Sequence, residues 1–437
     1  MKMKKRHLLV FSFFLFTIWL QAQNITPIKK AEVLTKVMEE NRSIKISDQE
    51  YNEAQADYRQ TNAVYLPNIT ASHTALATTN PLMAFGSKLN QEILTANDFN
   101  PDLLNDPSQI ENYATKFEIL QPLVNVDGVY QRKAAKTKMH AMALQTERTT
   151  DYLTFEVDKA YMQLQLAYKA VDVLEKALEA AFANKKLADN SFKQGYLQRA
   201  DVLSVEVRVN DVKNQLQSAK SNVQNASDYI SFLINDKTDV IYQPTDSLTV
   251  NMLSLTDKTI SESRSDIQAM QLSTEAYQDM YKADKMAFLP RLNAFGSYEL
   301  YDDQIFHADA SGYMFGAQLS WDVFQGSKRF GKAQKSKAEF EKSKYQYEQY
   351  VSQSQLELNK AKRMLLDAES KLELTALALE QSKESLRIRT SRFGEGLEKT
   401  TDLLLADTQY AKKQLEYYQT VFEYNYAQAY LQFLTKD

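Results

Sequence analysis

A turn motif occurs twice in this chain, each time between helical stretches that are far longer than a compact domain requires. Phe192, Gly195, Asp201 and Leu203 recur 201 positions later as Phe393, Gly396, Asp402 and Leu404. A fixed offset between matching residues indicates an internal duplication. The chain is therefore predicted to contain two structural repeats with one special turn in each.

The helical stretch before each turn runs from roughly 126 to 191 and from 327 to 391 without a proline. At 1.5 Å per residue each stretch spans about 100 Å. Every seventh residue from Val351 to Leu386 is Val or Leu, which predicts a heptad packing seam. Another helical stretch follows each turn and must run back antiparallel to the first. The sequence thus predicts two long antiparallel α-hairpins.

Ahead of each long helix the hydrophobic period changes from helical to two, which is typical of strands. Strand pairs are predicted at about 65–124 and about 289–324. Their length matches a tilted crossing of a bilayer, and aromatic residues are positioned to lie at the membrane interface. These aromatics are Tyr298, Tyr301, Tyr313 and Trp321. A soluble pair of hairpins packed on a helix has the same alternation and is the alternative.

The beginning of the chain has the pattern of a secretory signal peptide, predicted at 1–22. The first structural repeat is predicted at 23–235, a linker at 236–257 and the second repeat at 258–437. Each repeat is expected to contain a helix, a strand pair and a long α-hairpin. The chain has no cysteine, so its stability must come from packing, and its formal charge of −4 predicts no nucleic-acid partner.

Four strands per chain leave two open sheet edges, and an open edge within hydrocarbon leaves backbone groups unbonded at several kcal/mol each. The barrel is therefore expected to close between chains. Two chains would supply eight strands and a filled interior, whereas three would supply twelve and begin to leave a lumen. The predicted fold is mainly α with a membrane β-barrel portion. Long hairpins form a trimeric helical tunnel, and four strands per chain contribute to a shared 12-stranded barrel.

The chain resembles the TolC-type outer-membrane factor family over nearly its whole length. The resemblance rests on the duplication, on the openings "YLPNITA" and "FLPRLNA" of the leading strands, and on the turn pattern G-(x)5-D-x-L in each half. It implies a homotrimeric channel in the outer membrane of a Gram-negative cell, extending into the periplasm. The channel would serve tripartite efflux or type I secretion, with a periplasmic adaptor (membrane fusion protein) and an inner-membrane pump as partners.

The resemblance also implies that carboxylates after the second turn narrow the periplasmic aperture. Asp402 falls on the first of these positions, whereas Leu405 occupies the second and Glu398 stands where family members carry an arginine. Asp402, Asp201 and Glu398 are the predicted aperture residues, with Asp201 linked to Arg199 or Arg392. The alternative for both aspartates is that each offsets the dipole at a helix N-terminus.

The two turns are the adaptor-docking surface that the resemblance implies, with Gly195, Leu197, Gly396 and Leu397 as the docking residues. A tight hairpin turn also requires positive φ, which glycine adopts without steric cost. The two interpretations of the glycines are therefore compatible.

Other functional classes have little support in the residues. His73, His140 and His307 lack the spacing of a metal pair, and no glycine-rich phosphate loop is present, so no enzyme activity, cofactor or metal site is predicted. Asp98, Asp102 and Asp106 lie in a long loop at 79–112, where acids are usually solvated. A non-conducting periplasmic coiled-coil spacer or adaptor is the alternative function, although adaptors need an additional domain within one hairpin.

Overall fold

The computed structural model describes residues 24–237, 240–251 and 259–436. The predicted signal peptide at 1–22 lies outside the described residues. The helices are α1 Lys30–Glu40, α2 Arg42–Gln60, α3 Pro81–Asn90, α4 Pro101–Asn105, α5 Val126–Lys193, α6 Arg199–Leu233, α7 Ser265–Met286, α8 Lys328–Gly394 and α9 Thr400–Leu434. The strands are β1 Asn24–Ile28, β2 Asn68–Thr78, β3 Ile110–Val124, β4 Val240–Pro244, β5 Arg291–Asp302 and β6 Ala310–Ser320.

The two long helices predicted from the sequence are present as α5, with 68 residues, and α8, with 67 residues. Each is followed by a 35-residue helix, α6 and α9 respectively. The heptad seam of α8 buries its small residues Ala361, Ala368 and Thr375. On α5 the repeat-equivalent positions Ala160, Ala167 and Leu174 are buried too, so both repeats preserve this packing row.

One hydrophobic cluster combines α5, α6 and α9. The cluster contains Leu174 and Ala177 of α5, Val212 and Leu216 of α6, and Ala411 of α9. The first hairpin therefore packs against the return helix of the second hairpin as well as within itself. Burial of such apolar side chains is the main force that holds long amphipathic helices together.

The four longest strands form one antiparallel sheet in the order β2-β3-β5-β6. The register pairs Ile119 with Gly296 and Tyr298 with Tyr313, while Lys116 pairs with Glu299. Because side chains alternate across a strand, one sheet face is apolar and the opposite face carries the charges. Lys116 lies 3.4 Å from Glu299 and 3.6 Å from Glu118 on the charged face.

Phe295 is an aromatic residue on the polar face of β5. Its cross-strand partner is Gly316, and a Cβ atom added to Gly316 would lie 2.8 Å from the Phe295 ring. The ring therefore covers the backbone at a glycine that has no side chain of its own, a contact that protects a weak point of a sheet.

The predicted linker at 236–257 contains strand β4, which was not predicted from the sequence. β4 pairs in parallel with β1. The hydroxyl of the buried Tyr161 donates to the Ile28 carbonyl oxygen at 3.1 Å and also bonds Asp246. Burial and the bond to Asp246 raise the pKa of Tyr161 to about 12, so it remains a hydroxyl donor at neutral pH. This part of the linker is a folded connection.

Two compact units divide the chain, and each takes segments from both repeats. One contains residues up to 41 together with 153–254 and 363–430, and the other contains 42–152, 255–362 and 431–437. A repeat of this protein is therefore a unit of sequence and topology, whereas each compact unit is assembled from two repeats. Among the residues that the structure describes, every helix is too short or too polar to serve as a membrane span.

Candidate functional site

The turn between α5 and α6 ends the long helix by a Schellman motif. Gly195 has a φ of +79°. Its N–H donates to the Phe192 carbonyl oxygen at 3.0 Å, and the N–H of Tyr196 donates to the Ser191 carbonyl oxygen at 2.9 Å. These two bonds satisfy carbonyl groups that a helix end leaves free.

The turn between α8 and α9 repeats this geometry. Gly396 has a φ of +74°. Its N–H donates to the Phe393 carbonyl oxygen at 3.0 Å, and the N–H of Leu397 donates to the Arg392 carbonyl oxygen at 2.9 Å. The positive φ predicted for both glycines is confirmed.

The aspartates that follow the two turns differ in their local bonds. Asp201 lies in the first turn of α6, and its Oδ2 accepts the backbone N–H of Gln198 at 3.1 Å. Asp201 therefore caps its helix, in agreement with the structural alternative stated for it. Asp402 lies in the first turn of α9, and in a single chain its carboxylate has no hydrogen-bond partner among the described residues. Of the two, Asp402 is the carboxylate that is left available.

Glu398, predicted as an aperture residue, is held by two arginines of its own hairpin. Its Oε1 lies 2.8 Å from Nη1 of Arg389, and its Oε2 lies 3.0 Å from Nε of Arg392. Arg392 also donates through Nη2 to the Leu397 carbonyl oxygen at 3.3 Å. Within one chain Glu398 is therefore neutralised rather than free, and Arg392, predicted as a partner of Asp201, is bonded to Glu398.

The exposed residues of the two turns are equivalent in the duplication. Leu397 is 63% exposed, and its counterpart 201 positions earlier is Tyr196, which is 79% exposed. Leu197, the docking residue predicted from the sequence, is half-buried and corresponds to Glu398 of the second turn. Applying the offset to Leu397 identifies Tyr196, so the signal for this residue was present in the sequence.

A buried ion pair joins the return helices α6 and α9 and was not predicted. Nε of Arg208 donates to Oδ2 of Asp407 at 3.0 Å, and both side chains are almost fully buried. Burial raises the pKa of the Asp407 carboxyl, and the attraction of Arg208 only partly opposes this rise. The pair carries two charges into an apolar interface between helices.

The four aromatics predicted at the membrane interface lie in two different environments. Tyr298 and Tyr313 pair across β5 and β6 on the apolar face and are exposed. Trp321 is exposed, and its Nε1 donates to the Phe288 carbonyl oxygen at 3.0 Å. Tyr301 lies on the opposite, charged face of β5 and bonds Glu299. Tyr301 therefore differs from Tyr298 and Tyr313 in the face that it occupies.

One acid of the long loop at 79–112, Asp98, has side-chain partners of its own. Asp98 lies 2.6 Å from Nζ of Lys88 and accepts the Thr95 backbone N–H at 2.8 Å. The bond from Lys88, with those from Thr95, lowers the pKa of Asp98 to about 2. No cluster of three or more potential metal ligands occurs among the described residues.

Residues 33–236 and 258–435 match the family model described as outer membrane efflux protein. No curated protein sequence gives a significant match.

Solved structures with a similar fold include a membrane protein from Pseudomonas aeruginosa, at a TM-score of 0.82 and 16% identity over 93% of each chain. The CmeC outer membrane channel of Campylobacter jejuni is similar at a TM-score of 0.81 and 16% identity, over 93% of this chain and 85% of CmeC. The outer membrane protein VceC of Vibrio cholerae is similar at a TM-score of 0.79 and 14% identity, over 93% of this chain and 95% of VceC. At these identities the likeness establishes the fold.

Proposed function

This chain belongs to the outer membrane efflux protein family and is an outer-membrane efflux channel; from that premise we propose that its working form is a homotrimer with a shared 12-stranded barrel. The observation that carries the proposal is the strand order β2-β3-β5-β6, which leaves one long edge of β2 and one of β6 without a partner strand among the described residues. Closure between three chains bonds these edges and leaves a lumen.

The two faces of the sheet support the direction of closure. The apolar face carries Tyr298, Tyr313 and Phe315, and the opposite face carries Lys116 and Glu299. A membrane barrel requires an apolar exterior and tolerates a polar, hydrated interior. The proposed barrel therefore has the ion pair of Lys116 and Glu299 facing its lumen.

The second hairpin supports assembly of the helical tunnel. Leu366, Leu374 and Leu377 of α8 are 62%, 67% and 52% exposed in a single chain. Burying a leucine side chain contributes about 1.5–3 kcal/mol relative to leaving it in water. We propose that these leucines are buried against helices of the neighbouring chains.

The proposed partners are a periplasmic adaptor that docks at the hairpin turns and an inner-membrane pump behind it. Tyr196 and Leu397, exposed at equivalent positions of the two turns, are the proposed docking side chains. The proposal assigns this chain a transport role and no catalytic step. A channel for small-molecule efflux and a channel for protein secretion share all of these features.

The test of the function combines mass and conductance. Purified protein in detergent is expected to have the mass of three chains, and in a planar bilayer it is expected to form ion-conducting pores. A monomer that washes from membranes without detergent and conducts no current would contradict the proposal and favour the coiled-coil spacer.

Asp402 is the proposed origin of an acidic ring at the periplasmic aperture. Three carboxylates around one axis attract cations, because the low-dielectric walls of a narrow passage focus their electric field. Asp402→Asn is therefore expected to lower the cation-to-anion permeability ratio by roughly twofold or more, measured from reversal potentials in a salt gradient. Asp201→Asn is the matched control, since Asp201 is the repeat equivalent and its carboxylate is used as a helix cap. An equal change in both variants would contradict a specific role for Asp402.

A further inference from the structure

A groove of about 940 Å³ lies between the helices α5, α6 and α9. Its volume is within the range of sites that hold small organic molecules, about 300–1,000 Å³. Leu166, Ala170 and Ala226 form part of its wall, and the rings of Tyr229 and Tyr418 also line it. The groove therefore offers a ligand an apolar surface with two aromatic rings.

The groove lies on the face of α5 that is opposite to the short parallel sheet of β1 and β4. The Tyr168 hydroxyl of α5 donates to the Tyr242 carbonyl oxygen of β4 at 3.2 Å. Leu166 and Ala170 are each two residues from Tyr168, and two residues turn a helix by about 200°. The groove side of α5 therefore points away from the short sheet.

The same relation holds on α6 and α9. Ser227 of α6 accepts a backbone N–H of β4 at 2.8 Å, and Asn225, which lines the groove, is two residues away. Asn425 of α9 donates to the Thr249 carbonyl oxygen at 2.8 Å, and Glu416 of the groove lies about half a turn round the helix from it. The short sheet would obstruct a conducting tunnel from inside. Under the proposed function it therefore packs outside, and the groove faces the lumen.

Positive charges outnumber negative ones in and beside the groove. Lys413 binds Glu416 at 2.8 Å, and this bond lowers the pKa of Glu416, so these two charges offset each other. Lys412 lines the groove and is exposed, and Nζ of Lys169 lies 5.3 Å from the centre of the Tyr418 ring. Neither of these two lysines has a carboxylate at ion-pair distance among the described residues. Two cations therefore remain for a ligand, in a chain whose formal charge is −4.

The duplication does not account for this chemistry. The positions of α6 that are equivalent to Lys412 and Tyr418 are Asp211 and Gln217. The second repeat thus has a cation and an aromatic ring where the first has an acid and an amide. Helix packing, which the two repeats share, requires neither the lysine nor the ring.

We propose that this groove binds amphiphilic organic anions, molecules with a flat apolar body and a carboxylate or sulfonate group. The apolar wall and the Tyr418 ring contact the body, and Lys412 and Lys169 attract the anionic group. The amides of Gln163 and Asn222, which also line the groove, hydrogen-bond polar substituents. The proposal rests on the proposed function, because the occupant is cargo on its way through the tunnel.

Equilibrium dialysis of the protein in lipid nanodiscs against 2-naphthoate measures this binding directly. Empty nanodiscs of the same lipid give the amount that dissolves in the bilayer. Binding above this background is expected, and the neutral analogue 2-naphthalenemethanol is expected to bind more weakly because it has no charge for the lysines to attract. Absence of binding above the background, or equal binding of the two compounds, would overturn the proposal.

Lys412→Gln and Lys169→Gln are each expected to weaken the binding of 2-naphthoate by about two- to fivefold, the range of a partly exposed charge pair. Lys186→Gln is the matched control, because Lys186 is exposed on α5 at about 25 Å along the helix from Lys169 and does not line the groove. The control removes the same charge and is expected to leave the binding unchanged. An equal loss in all three variants would indicate a general effect of charge and contradict a site in the groove.

Pore measurements separate the groove from the channel function. 2-Naphthoate is expected to raise the cation-to-anion permeability ratio of the reconstituted pore, because bound carboxylates offset the charge of the lysines. The response is expected to be smaller in Lys412→Gln. Binding to a protein that forms no pores would retain the groove and contradict the channel. Binding that leaves the permeability ratio of a conducting pore unchanged would overturn the placement of the groove in the lumen.

Discussion

Replacing Asp266 by Asn is expected to lower the free energy of unfolding by about 3 kcal/mol or more per chain. Asp266 lies 2.6 Å from Nε of Arg264 and 3.2 Å from Nε of Arg148, and it accepts the Tyr350 hydroxyl at 2.7 Å. Its neutralisation leaves two largely buried guanidiniums beside each other without the carboxylate that they share. Thermal unfolding in detergent, compared with the unmodified protein, measures the loss.

The same two arginines hold the end of α9. Arg264 donates to the Leu434 carbonyl oxygen at 3.0 Å, and Arg148 donates to the Phe433 carbonyl oxygen at 3.2 Å. Cations at the C-terminal end of a helix also interact favourably with its dipole. Loss of Asp266 therefore disturbs the anchoring of the last turn of α9 together with the ion pairs.

The pH dependence of this cluster has a definite sign. Burial by itself raises the pKa of Asp266, but the bonds from Arg264 and Tyr350 and the charge of Arg148 outweigh it, so the pKa lies below its ordinary value of 3.8. A depressed folded-state pKa contributes stability that is present above pH 3.8 and is lost as the pH falls through the folded value. The stability difference between Asp266→Asn and the unmodified protein is therefore expected to shrink below about pH 4.

Two controls accompany Asp266→Asn. Tyr350→Phe removes one neutral donor and is expected to cost less, because no charge is left unpaired. Asp172→Asn removes an exposed pair with Lys176 and is expected to have little effect. A loss for Asp266→Asn no greater than that for Asp172→Asn would contradict the role given to the cluster.

Asp407→Leu is expected to cost about 3–5 kcal/mol, because Arg208 then remains buried without its partner. The double variant Arg208→Met/Asp407→Leu is expected to regain most of this loss, since apolar side chains suit the surrounding interface. Burial outweighs Arg208 in setting the pKa of Asp407, which indicates that the pair gains little net stability. Nη2 of Arg208 lies 2.9 Å from the carboxylate but outside hydrogen-bond geometry.

Melting curves of both single variants and the double variant form a mutant cycle that isolates the coupling between Arg208 and Asp407. The raised pKa also predicts a pH effect opposite to that of Asp266. The stability contributed by a protonated Asp407 is complete below pH 3.8 and is lost as the pH rises through the folded-state value. If the double variant were as unstable as Asp407→Leu, the loss of stability would not come from the unpaired charge of Arg208, and this prediction would be contradicted.

Much of the fold was predictable because its long helices and strands have periodic patterns of hydrophobic residues. The heptads of α5 and α8 and the alternation in β5 and β6 are local and extend over many residues, so each pattern indicates its own element. The duplication added an independent check, because the long helix and the turn of one half predicted their counterparts in the other. β4 was missed because its five residues are too few to establish a period.

The functional residues were predictable only in part. The glycines of the two turns were identified because a tight turn restricts φ. The arginine partners of Glu398 were missed because they lie six and nine residues earlier, a separation that only the turn brings to bonding distance. Arg208 and Asp407 are 199 residues apart in the chain, and neither position has a charged partner that spacing indicates.

The sequence by itself indicated the duplication, the long hairpins and the four strands of the sheet, since these follow from periodicity and from a turn that repeats at one offset. The class of channel followed from the resemblance to a known family that these features carry. Only the tertiary structure decided which charges meet. In the structure, Glu398 binds arginines of its own hairpin, and Asp201 caps its helix. Asp402 has no hydrogen-bond partner for its carboxylate among the described residues, and Arg208 pairs with Asp407. Periodicity specifies which face of an element is buried, whereas the partner of a charge depends on how distant elements pack, and no local pattern encodes that.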